Sequence, residues 1–356
     1  MRFSIVIPTL NRSDSLRATI DSLLGSKFSP HEYEILIVDN GSTDNTRQVA
    51  ETAIESNMGR QIRYYYEPVP GLLSARHKGA LESKGEILVY VDDDIEADQY
   101  WLEAISEALE DPEVKLVGGK SLPKYESAPP DWLDAFWYRD GDLRQCFYLS
   151  LLDYGDKISE IDPLYVWGLN FAIRRETLFE LEGFNPECVP KTLQRYQGDG
   201  DTGLAWKVKA AGYKIIYQPQ ALVYHIVPTQ RLTIDYFVER MFSAGVSDSY
   251  TTIRRNQGLR FEWRIHEPIP RIMRLLRRIA SKLSTDPYGS IKQRVREAWL
   301  EGYVFHRNEV RKDPELLKWV IKDNYWDYRY GQFILNETET KIDTGFNSTE
   351  SLFEKT

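Results

Sequence analysis

Short apolar runs and polar breaks alternate through the N-terminal half of the chain. Phe3–Ile7, Glu34–Val38, Ile62–Tyr66 and Ile87–Val91 are runs rich in β-preferring residues, each closed by a polar or turn-forming stretch. Between them, residues 15–24, 43–56 and 71–83 read as helices or as a loop entering a helix. Leu16, Ile20, Leu23 and Leu24 share one helical face, behind the N-cap candidates in Asn11-Arg12-Ser13-Asp14. Strand–helix–strand alternation at this spacing predicts βαβ units, and uninterrupted apolar strands predict a sheet covered on both sides. Further strands are predicted at 114–119 and 167–175, with two short strands or an extended pair at 213–217 and 221–225. Leu204, Val208 and Ala211 recur at helical spacing, and Gly212 suits the position just past a helix end.

From Thr233 onward the pattern is helical, around 236–242, 290–307 and 314–325, and residues 336–356 are polar without period, as in a frayed tail. The expected fold class is therefore α/β: a mixed, mainly parallel, Rossmann-like sheet flanked by helices, with a C-terminal helical appendage. The expected division is 1–230 for the sheet domain, split near 118, then 231–335 for the appendage and 336–356 for the tail.

Ile87–Val91 runs directly into Asp92-Asp93-Asp94. Three carboxylates at the carboxyl end of a buried strand are not expected to be core, because unpaired buried charge is too costly. They stand where open α/β sheets bind ligands. Adjacent carboxylates raise one another's pKa unless a cation lies between them, and a hard divalent ion takes oxygen ligands. The plainer alternative is a solvated turn, or a cap for a helix starting near Asp98. Asp39 closes the second strand in the same way, and Pro8-Thr9-Leu10-Asn11-Arg12 follows the first. There is no Gly-x-Gly-x-x-Gly after the first strand and no phosphate-binding Gly-x-x-x-x-Gly-Lys loop, which excludes the common dinucleotide and NTPase sites. Arg76 and Lys78 are the cations in place to meet an anionic ligand.

Composition narrows the function classes. A formal charge of −9 argues against a nucleic-acid partner. Two cysteines, Cys146 and Cys188, build neither a disulfide framework nor a zinc site. No apolar run reaches the length of a spanning helix and the start does not read as a signal peptide, so a cytoplasmic protein is expected. Aromatic residues make up 13%, and aromatic faces suit sugar rings and bases as well as cores.

Val6-Ile7-Pro8-Thr9-Leu10-Asn11-Arg12, Ile37-Val38-Asp39-Asn40-Gly41-Ser42-Thr43-Asp44, Gly71-Leu72-Leu73-Ser74-Ala75-Arg76 and Val89-Tyr90-Val91-Asp92-Asp93-Asp94 are similar, in order, to the motifs of the family 2 glycosyltransferases. The resemblance covers roughly residues 3 to 227. It implies the glycosyltransferase A-type fold, a nucleotide-sugar co-substrate and a Mg²⁺ or Mn²⁺ ion. It implies that Pro8, Thr9 and Arg12 flank the nucleotide and that Asp39 accepts a hydrogen bond from the base. Asp92 and Asp94 would be the Asp-x-Asp motif for ribose and metal–diphosphate, with Asp93 between them and Arg76 holding donor phosphates. It also implies a catalytic Asp near the start of the helix after Gly198, where this chain reads Gly198-Asp199-Gly200-Asp201. The family carries Glu-Asp there, so Asp201 matches the general base, Gly200 stands where the Glu would be, and Asp199 competes for the role; either Asp could instead only cap the helix. His225 matches a position that completes the metal shell in several such enzymes, although a lone His is more often structural.

The implied activity is inverting transfer of a single sugar to a hydroxyl of a glycan or lipid-linked acceptor, as in polysaccharide biosynthesis. The membrane helices and Gln-x-x-Arg-Trp motif of the processive synthases are missing. The rivals are a nucleotidyltransferase of sugar phosphates, which would need a Gly-rich basic loop after the first strand, and a non-catalytic glycan or nucleotide-sugar binding protein. The 120–165 stretch, with Pro129-Pro130-Asp131-Trp132 and Phe136-Trp137-Tyr138, reads either as a cover for the core or as a flap over the acceptor pocket. Finally, 254–282 holds nine Lys/Arg against two Glu. Its segment 269–283 has an apolar stripe opposite Arg271, Arg274, Arg278 and Lys282. This predicts either packing on the body of the protein or a reversible peripheral contact with an anionic membrane face, helped by Arg254, Arg255, Arg260 and Arg264.

Overall fold

The structure is a computed structural model that describes residues 1–259 and 286–326. Strands β1 (Phe3–Thr9), β2 (Tyr33–Asp39), β3 (Ile62–Tyr66) and β4 (Ile87–Tyr90) lie parallel in the order β3-β2-β1-β4. Every residue of β1, β2 and β4 is buried, as expected for strands covered on both faces. Helices α1 (Ser13–Leu24), α2 (Thr46–Ser56) and α3 (Leu72–Glu82) make the crossovers. Gly79 of α3 faces β1 so closely that a Cβ there would overlap Val6.

Beyond β4 the sheet turns mixed. A three-residue strand β5 (Ile95–Ala97) and helix α4 (Trp101–Ala108) lead to the long β6 (Val114–Tyr125). A ribbon of β7 (Tyr138–Asp140), β8 (Leu143–Cys146) and β9 (Leu151–Tyr154) extends the sheet past β6. The aromatic 120–165 stretch thus mixes short strands with short helical turns and includes a small β10 (Ser159–Glu160). The predicted 167–175 strand is shorter than expected: Gly168–Asn170 is a tight helical turn, β11 spans Phe171–Arg174, and Arg175 opens α5 (Arg175–Glu180). β11 runs antiparallel between β4 and β6. Helix α6 (Gly200–Ala210) precedes β12 (Lys214–Val227), a single strand with an irregularity between Gln218 and Val223, where two short strands were expected. Gly212 carries φ +82°, the left-handed conformation expected of a residue past a helix end.

The C-terminal helices are not a separate body. Helix α7 (Ile234–Arg255) and helix α8 (Gly289–Lys312) run side by side in the same direction, as the pairs Asp235–Arg294 and Ser249–His306 show. Gly245 and Gly302 let their backbones touch; a Cβ at either would overlap a main-chain carbonyl of the other helix. Tyr250, Ile253, Val310, and Leu316 and Trp319 of α9 (Pro314–Ile321) join the same core as the sheet. Arg254 donates to the carbonyls of Val320 and Lys322, which closes the end of α9. Arg255 stacks on Trp206 at 5.0 Å and stays exposed. The basic segment 269–283, with Arg260 and Arg264, lies outside the described residues. Among the described residues no helix is long and apolar enough to cross a membrane.

Candidate active site

β4 ends between β1 and β11, and Val91 still donates to the Val6 carbonyl. The next three residues therefore spill over the carboxyl edge of the sheet beside Pro8 and Thr9. β5 then folds back and pairs antiparallel with β12, placing Ile95 opposite His225; Ile226 N–H donates to the Asp94 carbonyl at 2.8 Å. This pairing carries His225 to Asp94.

The expectation that the three carboxylates stay out of the interior is corrected. Asp93 and Asp94 are 7% and 2% exposed. Counter-charge makes their burial tolerable. Asp94 Oδ2 accepts from Arg12 Nη1 at 2.5 Å and from Arg231 Nη2 at 2.8 Å. Burial alone would raise the Asp94 pKa, but the guanidiniums of Arg231 and Arg12 hold it below the usual range. Asp92 and Asp93 go the other way. Burial and the neighbouring Asp94 charge push both up, Asp93 to about 7.

The buried His225 bonds through Nδ1 to the Leu149 carbonyl at 2.8 Å. A carbonyl only accepts, so Nδ1 carries the proton and Nε2 offers its lone pair. Nε2 receives Arg231 Nη1 at 2.7 Å and lies 3.3 Å from Asp94 Oδ1. That Oδ1 is buried without a hydrogen-bond partner. An orphaned carboxylate oxygen beside an imidazole lone pair suits Mg²⁺ or Mn²⁺ in donor type. Arg231 now bridges the same two side chains. Among the described residues no three His, Cys, Asp or Glu side chains stand together as a ready ligand set.

The second acidic group sits at the start of α6. Asp201 Oδ2 accepts from Gly168 N–H at 2.6 Å and Oδ1 from Thr202 N–H at 2.7 Å. Asp199 occupies the N-cap position, yet its side chain makes no capping bond. Its two oxygens accept instead from Asn185 at 2.7 Å and from Thr251 of α7 at 2.5 Å. Both carboxylates line the main cavity, and Asp199 also fastens α7 to α6.

Arg76 and Asp39 stand differently from their expected roles. The Arg76 side chain is buried, stacks on Phe184 at 5.0 Å, and donates to Glu187 rather than standing open for a phosphate. Its Nη2 lies 4.0 Å from Asp201 Oδ2. Asp39, 2% exposed, accepts from Ser42 N–H and the Tyr64 hydroxyl and does not line the main cavity. Its neighbour Asn40 lines it instead. Pro8, Thr9 and Arg12 do line the cavity.

That cavity, about 1000 Å³, runs along the sheet edge. Pro8, Thr9, Arg12 and Asn40 form one end, and Asp92–Asp94, Arg76, Glu187 and Asp201 the middle. The far end is Trp206 of α6, Ser243, Ser247 and Thr251 of α7, and Trp299 and Tyr303 of α8. Arg240 also lines it, stacked on Phe147 at 5.4 Å with a buried, unbonded Nε. Glu187, Arg231 and Arg240 were not singled out from sequence. Glu187 lies in an irregular stretch with no periodicity. Arg231 had only one signal, a cation shortly after the strand that carries His225.

Residues 4–178 match the family described as glycosyl transferase family 2. Over that stretch the chain resembles the family 2 glycosyltransferases. It is an enzyme that transfers sugar. It is 24% identical over 252 residues to a glucosyl-dolichyl phosphate glucuronosyltransferase of Haloferax volcanii, covering 69% of this chain and 76% of that protein. It is 25% identical over 255 residues to the succinoglycan biosynthesis protein ExoM of Rhizobium meliloti, covering 71% and 76%. Its fold is similar to that of the mannosyltransferase PcManGT from Pyrobaculum calidifontis, solved in complex with GDP-Man and Mn²⁺. The TM-score is 0.53 at 18% identity, over 95% of this chain and 87% of that one. The transferase fold and the mixed sheet expected from sequence are therefore both present.

Proposed function

We propose that this glycosyltransferase moves one sugar from a nucleotide-diphosphate donor to a hydroxyl of a glycan or lipid-linked acceptor, inverting the anomeric centre, with Asp201 as general base. One observation carries the reading. The Asp92–Asp94 turn and the exposed face of Asp201 line the middle of one cavity, with room on either side for two substrates. The donor nucleotide fits the end formed by Pro8, Thr9, Arg12 and Asn40. The acceptor fits the far end, where Trp206, Trp299 and Tyr303 offer ring faces and Ser243, Ser247 and Thr251 offer hydroxyls, the mixture that sugars favour. The names of the relatives, a glucuronosyltransferase and a polysaccharide biosynthesis protein, agree with such an acceptor.

A divalent ion held by Asp94 and His225, with Asp92 beside them, would neutralise the departing diphosphate as a Lewis acid. Arg12, at the donor end, balances the acidic turn. Asp201 accepts the acceptor hydroxyl proton while that oxygen bonds to the anomeric carbon and the carbon–phosphate oxygen bond breaks. Gly168 N–H fixes one oxygen of Asp201, which orients the carboxylate before the acceptor arrives.

The test is a panel of UDP-, GDP- and dTDP-sugars, read first as thermal stabilisation with and without Mn²⁺. A single donor class should stabilise the protein in the presence of metal, and the product should show the opposite anomeric configuration by NMR. Stabilisation by no donor, or a product that keeps the donor's configuration, overturns the reading.

A further inference from the structure

We propose that Glu187 is a positioning residue whose task is to occupy Arg76, so that Asp201 stays free to take a proton. The inference rests on the reading of Asp201 as the base. Arg76 is a buried guanidinium on α3, and a buried cation takes the nearest carboxylate partner. Two are within reach. Glu187 accepts directly from Nη1, whereas Asp201 stands 4.0 Å from Nη2. Without Glu187, Asp201 would be the remaining partner. A bidentate guanidinium would then cover the lone pairs that the acceptor's proton needs and weaken the carboxylate as a base.

The surrounding backbone is shaped to put Glu187 there. Gly168 has no side chain, and a Cβ would overlap the Arg76 guanidinium. Gly200 has φ +43° and no side chain, and a Cβ would overlap the Glu187 carboxylate. The carboxylate of Glu187 therefore fills the space a side chain at position 200 would enter, against the first turn of α6 and one residue from Asp201. Burial and the nearby charges of Asp201 and Asp92 push the Glu187 carboxyl up, and the direct ion pair with Arg76 opposes them and favours its ionised form. The rings of Phe184 at 5.0 Å and Tyr90 at 6.0 Å confine the guanidinium from its faces. Glu187 is the carboxylate bonded to it, with Asp201 next at 4.0 Å.

The experiment compares steady-state kinetics of Glu187→Gln, Arg76→Met/Glu187→Gln and Asp201→Asn in the full chain. Glu187→Gln keeps the shape and loses the charge. It should lower kcat at least about 10-fold while leaving donor KM within about two-fold, since the lost quantity is basicity rather than binding. Removing the cation as well leaves no lone buried charge and frees Asp201 again. The double variant should therefore recover most of kcat, a suppression that a purely structural pair would not show. If Glu187→Gln does not fold, the double variant is compared with the wild type directly: kcat within about 10-fold supports the proposal, and kcat as low as that of Asp201→Asn overturns it. A fully active Glu187→Gln also overturns it. A fully active Asp201→Asn instead removes the reading of the base, and the two failures are separately visible.

Discussion

Asp94 Oδ1 and His225 Nε2 face each other at 3.3 Å, and the Arg231 guanidinium is bonded to both side chains. The contact exists because β5 reverses onto β12 immediately after the acidic turn. The arginine supplies the positive charge that two inward-facing electron-pair donors require in a buried place. On the function proposed above Asp94 and His225 would also hold a divalent ion, so guanidinium and metal would compete for the lone pair of His225 Nε2.

Arg231→Gln should consequently bind Mn²⁺ more tightly than the wild type, by several-fold. Electron paramagnetic resonance of free Mn²⁺ at fixed total metal reads this directly, without turnover. Unchanged or weaker binding would mean that Arg231 helps to hold the ion's environment rather than occupying it.

Replacing Asp94 affects more than transfer. Asp94→Ala leaves the Arg231 guanidinium without its carboxylate acceptor in a buried pocket. The expected loss is about 3 kcal/mol of stability together with all detectable activity. Arg12, with a side chain 37% exposed, can turn to solvent and adds little. Chemical denaturation checks the first part. A variant as stable as the wild type would show that the arginines find other partners.

Asp201→Asn and Asp199→Asn separate the two carboxylates of the α6 start. The first should bind donor normally and lose at least about 10²-fold in kcat. The second sets an amide against the Asn185 amide and weakens the Thr251 bond, so it should lower the melting temperature while kcat per folded molecule changes little. The opposite ordering of kcat losses would move the base to Asp199.

His77 makes stability depend on pH. Both ring nitrogens are in use: Nε2 accepts from Phe184 N–H, and Nδ1 bonds to the Tyr325 carbonyl, so the imidazole is neutral and cannot gain a proton without setting two N–H groups against each other. Burial lowers its pKa from 6.5 to about 3. The unfolded chain therefore binds one more proton between those values, and stability falls as pH drops through that window, by up to about 1.4 kcal/mol per pH unit. His306, buried and lowered to about 4, acts in the same direction. His77→Gln should be less stable than the wild type at pH 7 but show a shallower decline between pH 6 and 4 in urea titrations. An equal slope would show that other groups carry the dependence.

What the linear pattern determined is the half of the molecule whose contacts are local or repeated. Ile5, Ile35, Ile37 and Leu88 sit in runs that have no polar alternation, and such runs become buried parallel strands wherever helices return the chain. The acidic strand end, the helix carrying Asp201 and the Gly212 stop follow from the same short-range rules. What only the tertiary structure decided concerns residues distant in sequence that share one buried space. Asp94 and His225 meet through a three-residue strand too short to show a period. Asp199 accepts from Thr251, on a helix that sequence set apart as an appendage. Arg76 meets Glu187, which lies in a segment with no regular pattern at all. In each case the deciding quantity is the cost of leaving a buried charge unpaired, and that cost cannot be assigned until folding has chosen which charges are buried and which lie side by side.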